Sequence, residues 1–285
     1  MPNEHGPTCV SVINMKGGVG KTTTVALLGR HAETRGHRVL VVDLDPQANL
    51  SQSYMGNAYA QFVDSQEPSI VEVFNGYRPP TPGHRSPARL IIEKAVRQIP
   101  NSVLSYIPSR FDFSDNLVHA LKPDPRVLAC CIAEYFQSTD LVLIDCPPTE
   151  SVFTRAAYHA SRYILVPVQP EYFATVGFPL LAKSLRSFRE GNPSHKIEVI
   201  GVVINNGFYS GGNDGGPEKS RAMSEIYEEA KKNGWHIFNN QIPHSRGFPK
   251  RMRGDQSHGG NSWQFRLFAE EFFCRLGLEK TNATA

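Results

Sequence analysis

The sequence predicts an α/β fold, a doubly wound and mainly parallel sheet flanked by helices. Three observations carry that reading. Short apolar runs rich in β-branched residues recur along the chain, and they are continuous rather than alternating, as strands covered on both faces require. Stretches with helical character separate them, so strand follows helix follows strand. With 285 residues, 40% hydrophobic and 20% charged, the chain is long enough and ordinary enough for one large domain with a well-buried core.

In chain order the strands are expected at Cys9–Met15 (CVSVINM), Arg38–Asp43 (RVLVVD), Ser102–Ile107, Asp140–Asp145 (DLVLID), Tyr163–Val168 (YILVPV), Glu198–Asn205 (EVIGVVIN) and His236–Gln241. Helices are expected between them at Thr22–Arg35, Arg126–Phe136, Thr154–Ala160, Thr175–Arg189, Lys219–Asn233 and Ser262–Leu276. Two segments break the rhythm. Arg78–Arg89 (RPPTPGHRSPAR) has too many prolines for a strand or helix interior, and Ser210–Pro217 (SGGNDGGP) reads as a flexible loop. Both are read as surface excursions from a single domain over residues 1–285, with its core in 8–277 and a tail at 278–285.

The net charge of +3 is mildly basic, so any polyanion must be met by a local patch and not by the field of the whole molecule. Five cysteines, an odd number without a CxxC pair, argue against a disulfide framework or a zinc site. The start MPNEHGPT has no apolar signal segment, and no run reaches the roughly 18 apolar residues of a membrane span. A cytoplasmic location is expected.

The strongest motif is KGGVGKTTT, Lys16–Thr24, directly after a predicted strand and before a predicted helix. Gly17, Gly18 and Gly20 let the backbone curl so that N–H groups around Val19 and Thr23 point at phosphate oxygens. The helix N-terminus adds partial positive charge. Lys21 would reach the β- and γ-phosphates and the Thr22 hydroxyl would ligate Mg²⁺, which makes ATP and Mg²⁺ the expected ligands and ATP hydrolysis the expected activity.

Two strand ends supply carboxylates. The run RVLVVD continues into Asp43-Leu44-Asp45-Pro46-Gln47, whose two acids at alternating positions point the same way. One can orient a magnesium-bound water and the other the attacking water. LVLIDCPP ends an apolar strand in a single aspartate, Asp145, the arrangement that holds magnesium through its water shell.

The loop departs from the general G-x-x-x-x-G-K-[ST] pattern: its first glycine position is Met15, and Lys16 opens it. In this it resembles the deviant Walker A box of the ParA/MinD ATPases, and VVDLDPQANLS, VPVQPEYFATVG, GVVINN and IPHSRGFPK resemble further segments of the ParA (Soj-like) branch. The resemblance implies a P-loop NTPase that dimerises on ATP, with Lys16 reaching the partner's phosphates. It implies that Asp45 serves hydrolysis, that Asp43 lies near the metal, and that Asn205 and Pro243 contact the base. It also implies binding of nonspecific double-stranded DNA by the ATP dimer, association with the nucleoid, and release on hydrolysis stimulated by a ParB-like adaptor. The candidate DNA contacts are Lys231, Lys232, Lys250, Arg251 and Arg253, with Arg186 and Arg189 weaker.

Two other readings share the fold. A MinD-like membrane ATPase would need a basic amphipathic C-terminal helix. Phe265, Phe268, Phe272 and Leu276 form a helical stripe, but Arg266 and Arg275 are mixed with Glu270 and Glu271, so the helix is expected to pack on the core and no membrane is expected. An electron-donor or metabolic ATP-dependent enzyme would need cluster cysteines or a second substrate site. Cys130 and Cys131 are adjacent on a helix and point apart, whereas Cys146 follows Asp145 directly.

Overall fold

Seven strands form one sheet in the order β3-β4-β2-β5-β1-β6-β7. They are β1 (Thr8–Val12), β2 (Val39–Asp43), β3 (Arg97–Gln98), β4 (Leu104–Ile107), β5 (Leu141–Asp145), β6 (Tyr163–Val168) and β7 (Glu198–Ile204). The computed structural model describes residues 6–77, 89–99, 102–111, 124–171, 176–205, 216–243 and 262–278. All pairings are parallel except that of β3, a two-residue edge strand antiparallel to β4.

The helices are α1 (Lys21–Thr34), α2 (Asn49–Met55), α3 (Ala58–Asp64), α4 (Ile70–Gly76), α5 (Arg89–Ala95), α6 (Val127–Tyr135), α7 (Val152–Ala160), α8 (Gly177–Gly191), α9 (Gly216–Lys232) and α10 (Ser262–Leu276). Strand residues divide between the two faces with period two. Leu40, Val42, Val142 and Ile144 join one buried cluster with α4, α6, α7 and α8. Val39, Val41, Leu141 and Leu143 join the other with α1 and α10. The aromatic stripe of α10 lies in that second cluster, with Phe265, Phe268 and Phe272 all at most 4% exposed. No helix among the described residues is long and apolar enough to cross a membrane.

Two expectations need correction. His236–Gln241 does not become a strand. Ile237 makes one isolated bridge to Val202, and Ile242, just past the segment, makes another to Asn205. Between them the N–H groups of Asn239 and Asn240 donate to the Glu271 carboxylate of α10, so the ladder is not continued. The second correction lies between β2 and β4, where α2–α5 were not expected. Each has seven residues, too few for a helical period to show. Arg89 opens α5, and Gly216 and Pro217 open α9, where proline is tolerated in the first turn. The rest of both predicted loops lies outside the described residues.

The order β2-β5-β1-β6 places β1 where the chain's crossovers part to either side. In open parallel sheets such a switch point opens a crevice at the carboxyl ends of the strands.

Candidate active site

The loop between β1 and α1 fills that crevice. Gly18 and Gly20 take left-handed backbone, φ 77° and 87°. Gly20 caps α1 without a side-chain acceptor, leaving the helix's first N–H groups to a ligand. A Cβ on Gly20 would collide with Asn205 Nδ2. The loop borders a cavity of about 720 Å³ lined by Gly17, Gly18, Lys21, Thr22, Thr23 and Asp45. That volume is in the range of small-molecule sites.

Lys21 is 6% exposed and its ammonium donates to the Lys16 carbonyl at 2.9 Å, closing the loop on itself. Burial pulls its pKa down, against the pull of Asp145 and Asp45. The Lys16 N–H donates to Asn14 Oδ1 at 3.0 Å, and Asn14 Nδ2 donates to the Pro167 carbonyl at 2.7 Å, tying the loop to β6. The Lys16 ammonium lies 3.3 Å from Glu171 Oε1, in a partly exposed pair.

The three carboxylates meet at the ends of adjacent strands, and their surroundings differ. Asp43 and Asp145 are register partners on β2 and β5, and both are buried. Neither Asp145 oxygen has a hydrogen-bond partner of ordinary geometry. Burial and then Asp43 push its pKa well up, with Asp45 adding to the rise, while a Thr22 hydrogen bond and the Lys21 charge pull back. Asp43 instead accepts from the Asp45 N–H at 3.1 Å, the Ser51 N–H at 3.0 Å and the Ser51 hydroxyl at 2.6 Å. Asp45, 8% exposed at the cavity wall, accepts from the Gln47 N–H at 2.9 Å.

These residues suit a magnesium–phosphate ligand. Two orphaned carboxylate oxygens beside the Thr22 hydroxyl are hard donors of the kind that hold a hydrated Mg²⁺. The uncapped helix start and Lys21 suit phosphate oxygens.

The structure therefore brings Gly17, Gly18, Gly20, Lys21, Thr22, Thr23, Asp45 and Asp145 together. Val19 is buried behind the loop, its carbonyl accepting from Asn205 Nδ2 at 2.9 Å, so the Asn205 amide faces the loop from the end of β7. Pro243 is buried next to Ile242, which bridges to Asn205. Asn14, Ser51 and Glu171 were not singled out from sequence. Their signal is three-dimensional, since each lies in a run read for its neighbours and its own partners are reached only through the fold.

Of the candidate DNA contacts, Lys231 and Lys232 end α9, and Lys232 pairs with Glu229 at 3.2 Å. Arg189 is used by the fold, donating twice to the Ile197 carbonyl. Lys250, Arg251 and Arg253 lie outside the described residues.

Residues 7–198 match the AAA_31 family, an AAA domain. The chromosome partitioning protein ParA of Caulobacter vibrioides is 32% identical over 200 residues, covering 68% of this chain and 68% of that protein. In fold the chain resembles the ATP complex of a Cyanothece McdA variant, with TM-score 0.77 at 21% identity over 97% of this chain and 98% of that one. It also resembles cobyrinic acid a,c-diamide synthase from Mycobacterium smegmatis with a bound ATP analogue and magnesium, with TM-score 0.72 at 23% identity over 98% and 100%. With its lysine-opened phosphate loop and its match to a chromosome partitioning protein across two thirds of both chains, this chain belongs to the ParA/Soj family of P-loop ATPases.

Proposed function

We propose that the chain is a slow ATPase that works as a nucleotide switch. It converts ATP to ADP and phosphate and moves cargo by cycling between a DNA-bound ATP dimer and a released state. The observation that carries this reading is one cavity lined by an uncapped helix start, the buried Lys21 and Thr22, with the buried Asp145 carboxyl interacting with Lys21 and Thr22 from behind its wall.

In this scheme the loop N–H groups and Lys21 bind the phosphates, and Thr22 and Asp145 hold the metal, Asp145 through water. Magnesium bound there would neutralise charge on the phosphates. Asp45 orients the attacking water from the cavity wall. Asn205 and Pro243 border the base. Lys16 crosses to the second copy of the chain. Its pair with Glu171 is partly exposed, and such pairs contribute only about 0–1 kcal/mol, so releasing Lys16 costs little. A cation supplied in trans at the transferring phosphoryl group acts mainly on the transition state.

Lys16→Ala is the test. Affinity for ATP should stay within about threefold while turnover falls about 100-fold or more. Unchanged turnover would remove the trans-lysine role. The adaptor, a ParB-like protein, would raise turnover, and its discovery follows from co-purification with the ATP-bound form.

A further inference from the structure

The two buried carboxylates at the ends of β2 and β5 are neighbours of the same type, yet only one of them is open to a ligand. Among the described residues, Asp145 has no donor of ordinary hydrogen-bond geometry on either oxygen, and the Thr22 hydroxyl beside it is itself placed for the metal. Both oxygens of Asp43 are engaged by protein donors. Resting on the ATPase reading above, we propose that Asp43 and Ser51 are positioning residues: they fix the catalytic Asp45 and the first turn of α2 against the cavity, and Asp43 does not hold the metal. This differs from the metal role that the family resemblance implies.

With Asp43 as the acceptor, the hydrogen bonds of this network run one way. Ser51, 0% exposed, has one hydroxyl proton, and it goes to Asp43 Oδ2. Its oxygen is then free to accept, and it receives the Ser109 N–H at 2.8 Å from the loop after β4. The chain Ser109 N–H to Ser51 O–H to Asp43 thus has one direction. The same carboxylate takes the N–H of Asp45 on its other oxygen.

Between these two anchors the backbone passes through Ala48, a non-glycine residue with φ 52°. Left-handed backbone there costs roughly 1–2 kcal/mol and persists only where the surroundings impose it. The Asp43 bonds at positions 45 and 51 bracket that residue. They set where the Asp45 carboxylate stands relative to Lys21. Displacing a reacting group by about 1 Å can cost about 100-fold in rate.

Ser51→Ala removes the hydroxyl link without touching the cavity's phosphate loop. In single-turnover assays, hydrolysis should fall about tenfold or more. Affinity for a fluorescent ATP analogue and the Mg²⁺ concentration for half-maximal rate should each stay within about twofold of the unsubstituted chain. Ser51→Thr, which keeps the hydroxyl, should recover most of the rate. Asp45→Asn/Ser51→Ala should be no slower than Asp45→Asn alone, since a positioning residue acts through the group it positions. Undiminished hydrolysis in folded Ser51→Ala would overturn the proposal. So would a raised Mg²⁺ requirement, which would return Asp43 to the metal. If Ser51→Ala does not fold, Asp43→Asn is read by the same Mg²⁺ criterion. Failure of the unsubstituted chain to hydrolyse ATP would instead overturn the ATPase reading itself, before any variant is compared.

Discussion

Asp145 shows at the scale of one residue how a site stores instability. A carboxyl with 0% exposure and no hydrogen-bond partner of ordinary geometry among the described residues would lose its hydration on ionising without full replacement. Burial and the neighbouring Asp43 therefore hold its pKa well above the ordinary carboxylate range. Asp145→Asn removes the charge at nearly constant volume. Without nucleotide or metal, it should raise the melting temperature, by about 2–4 °C for each kcal/mol relieved. In the same variant Mg²⁺-dependent hydrolysis should be lost. A lowered melting temperature, measured by calorimetry, would mean that the carboxylate contributes net stability. Lys21 and Asp145 were legible because their neighbours in sequence announce them: glycines before the lysine, an apolar strand before the aspartate. Ser51 and Asn14 were not, because their partners Asp43, Ser109 and Pro167 are reached only through the fold.

Between elements, the contact of α1 with α10 carries a pH dependence. His31 on α1 and His37 just beyond it both lie 5.7 Å from the ring of Phe273 on α10. His31 Nε2 has no hydrogen-bond partner among the described residues. Burial, then the Arg35 charge, pulls its pKa from 6.5 down to about 4, against the opposing pull of Glu270, while Arg266 and His37 add to the depression. The folded state thus holds the neutral imidazole, whereas the unfolded chain takes up its proton near pH 6.5. Stability from this group is complete above about pH 6.5 and is lost as pH falls toward 4. Each unit of depression corresponds to at most about 1.4 kcal/mol, less here because the ring is only partly buried. His31→Gln should flatten the melting-temperature profile between pH 6.5 and 4 relative to the unsubstituted chain. Parallel profiles would place the acid lability elsewhere. The packing of α10 was legible from its aromatic spacing, and β1, β2 and β5–β7 from their apolar runs. The short helices α2–α5 were not. Even so, Ser69 and Glu72 spell a capping box at the start of α4, where Val71 N–H donates to Ser69 Oγ and Ser69 N–H to Glu72, and that signal was available in the sequence.

For the molecule as a whole, the proposed cycle requires that the matrix be gripped by a few cations brought together by dimerisation. A net charge of +3 gives too weak a field to hold a polyanion by itself. About three phosphate contacts per subunit would make about six per dimer, for a log–log salt slope near −5, while the monomer would bind poorly. Binding to nonspecific double-stranded DNA should therefore appear with Mg-ATP and be weak with Mg-ADP or no nucleotide. Lys232 is already paired with Glu229 at 3.2 Å, which leaves Lys231 the better placed of the two at the end of α9. Lys231→Glu removes two contacts from a dimer, so the slope should become shallower by about 2, at about 0.9 per phosphate. ATP hydrolysis without DNA should be unaffected by that substitution, because Lys231 borders neither the phosphate loop nor its cavity. Salt-independent binding would remove the patch, and binding that ignores the nucleotide would remove the switch. An unchanged slope in Lys231→Glu with the nucleotide dependence intact would move the grip away from α9 and keep the cycle.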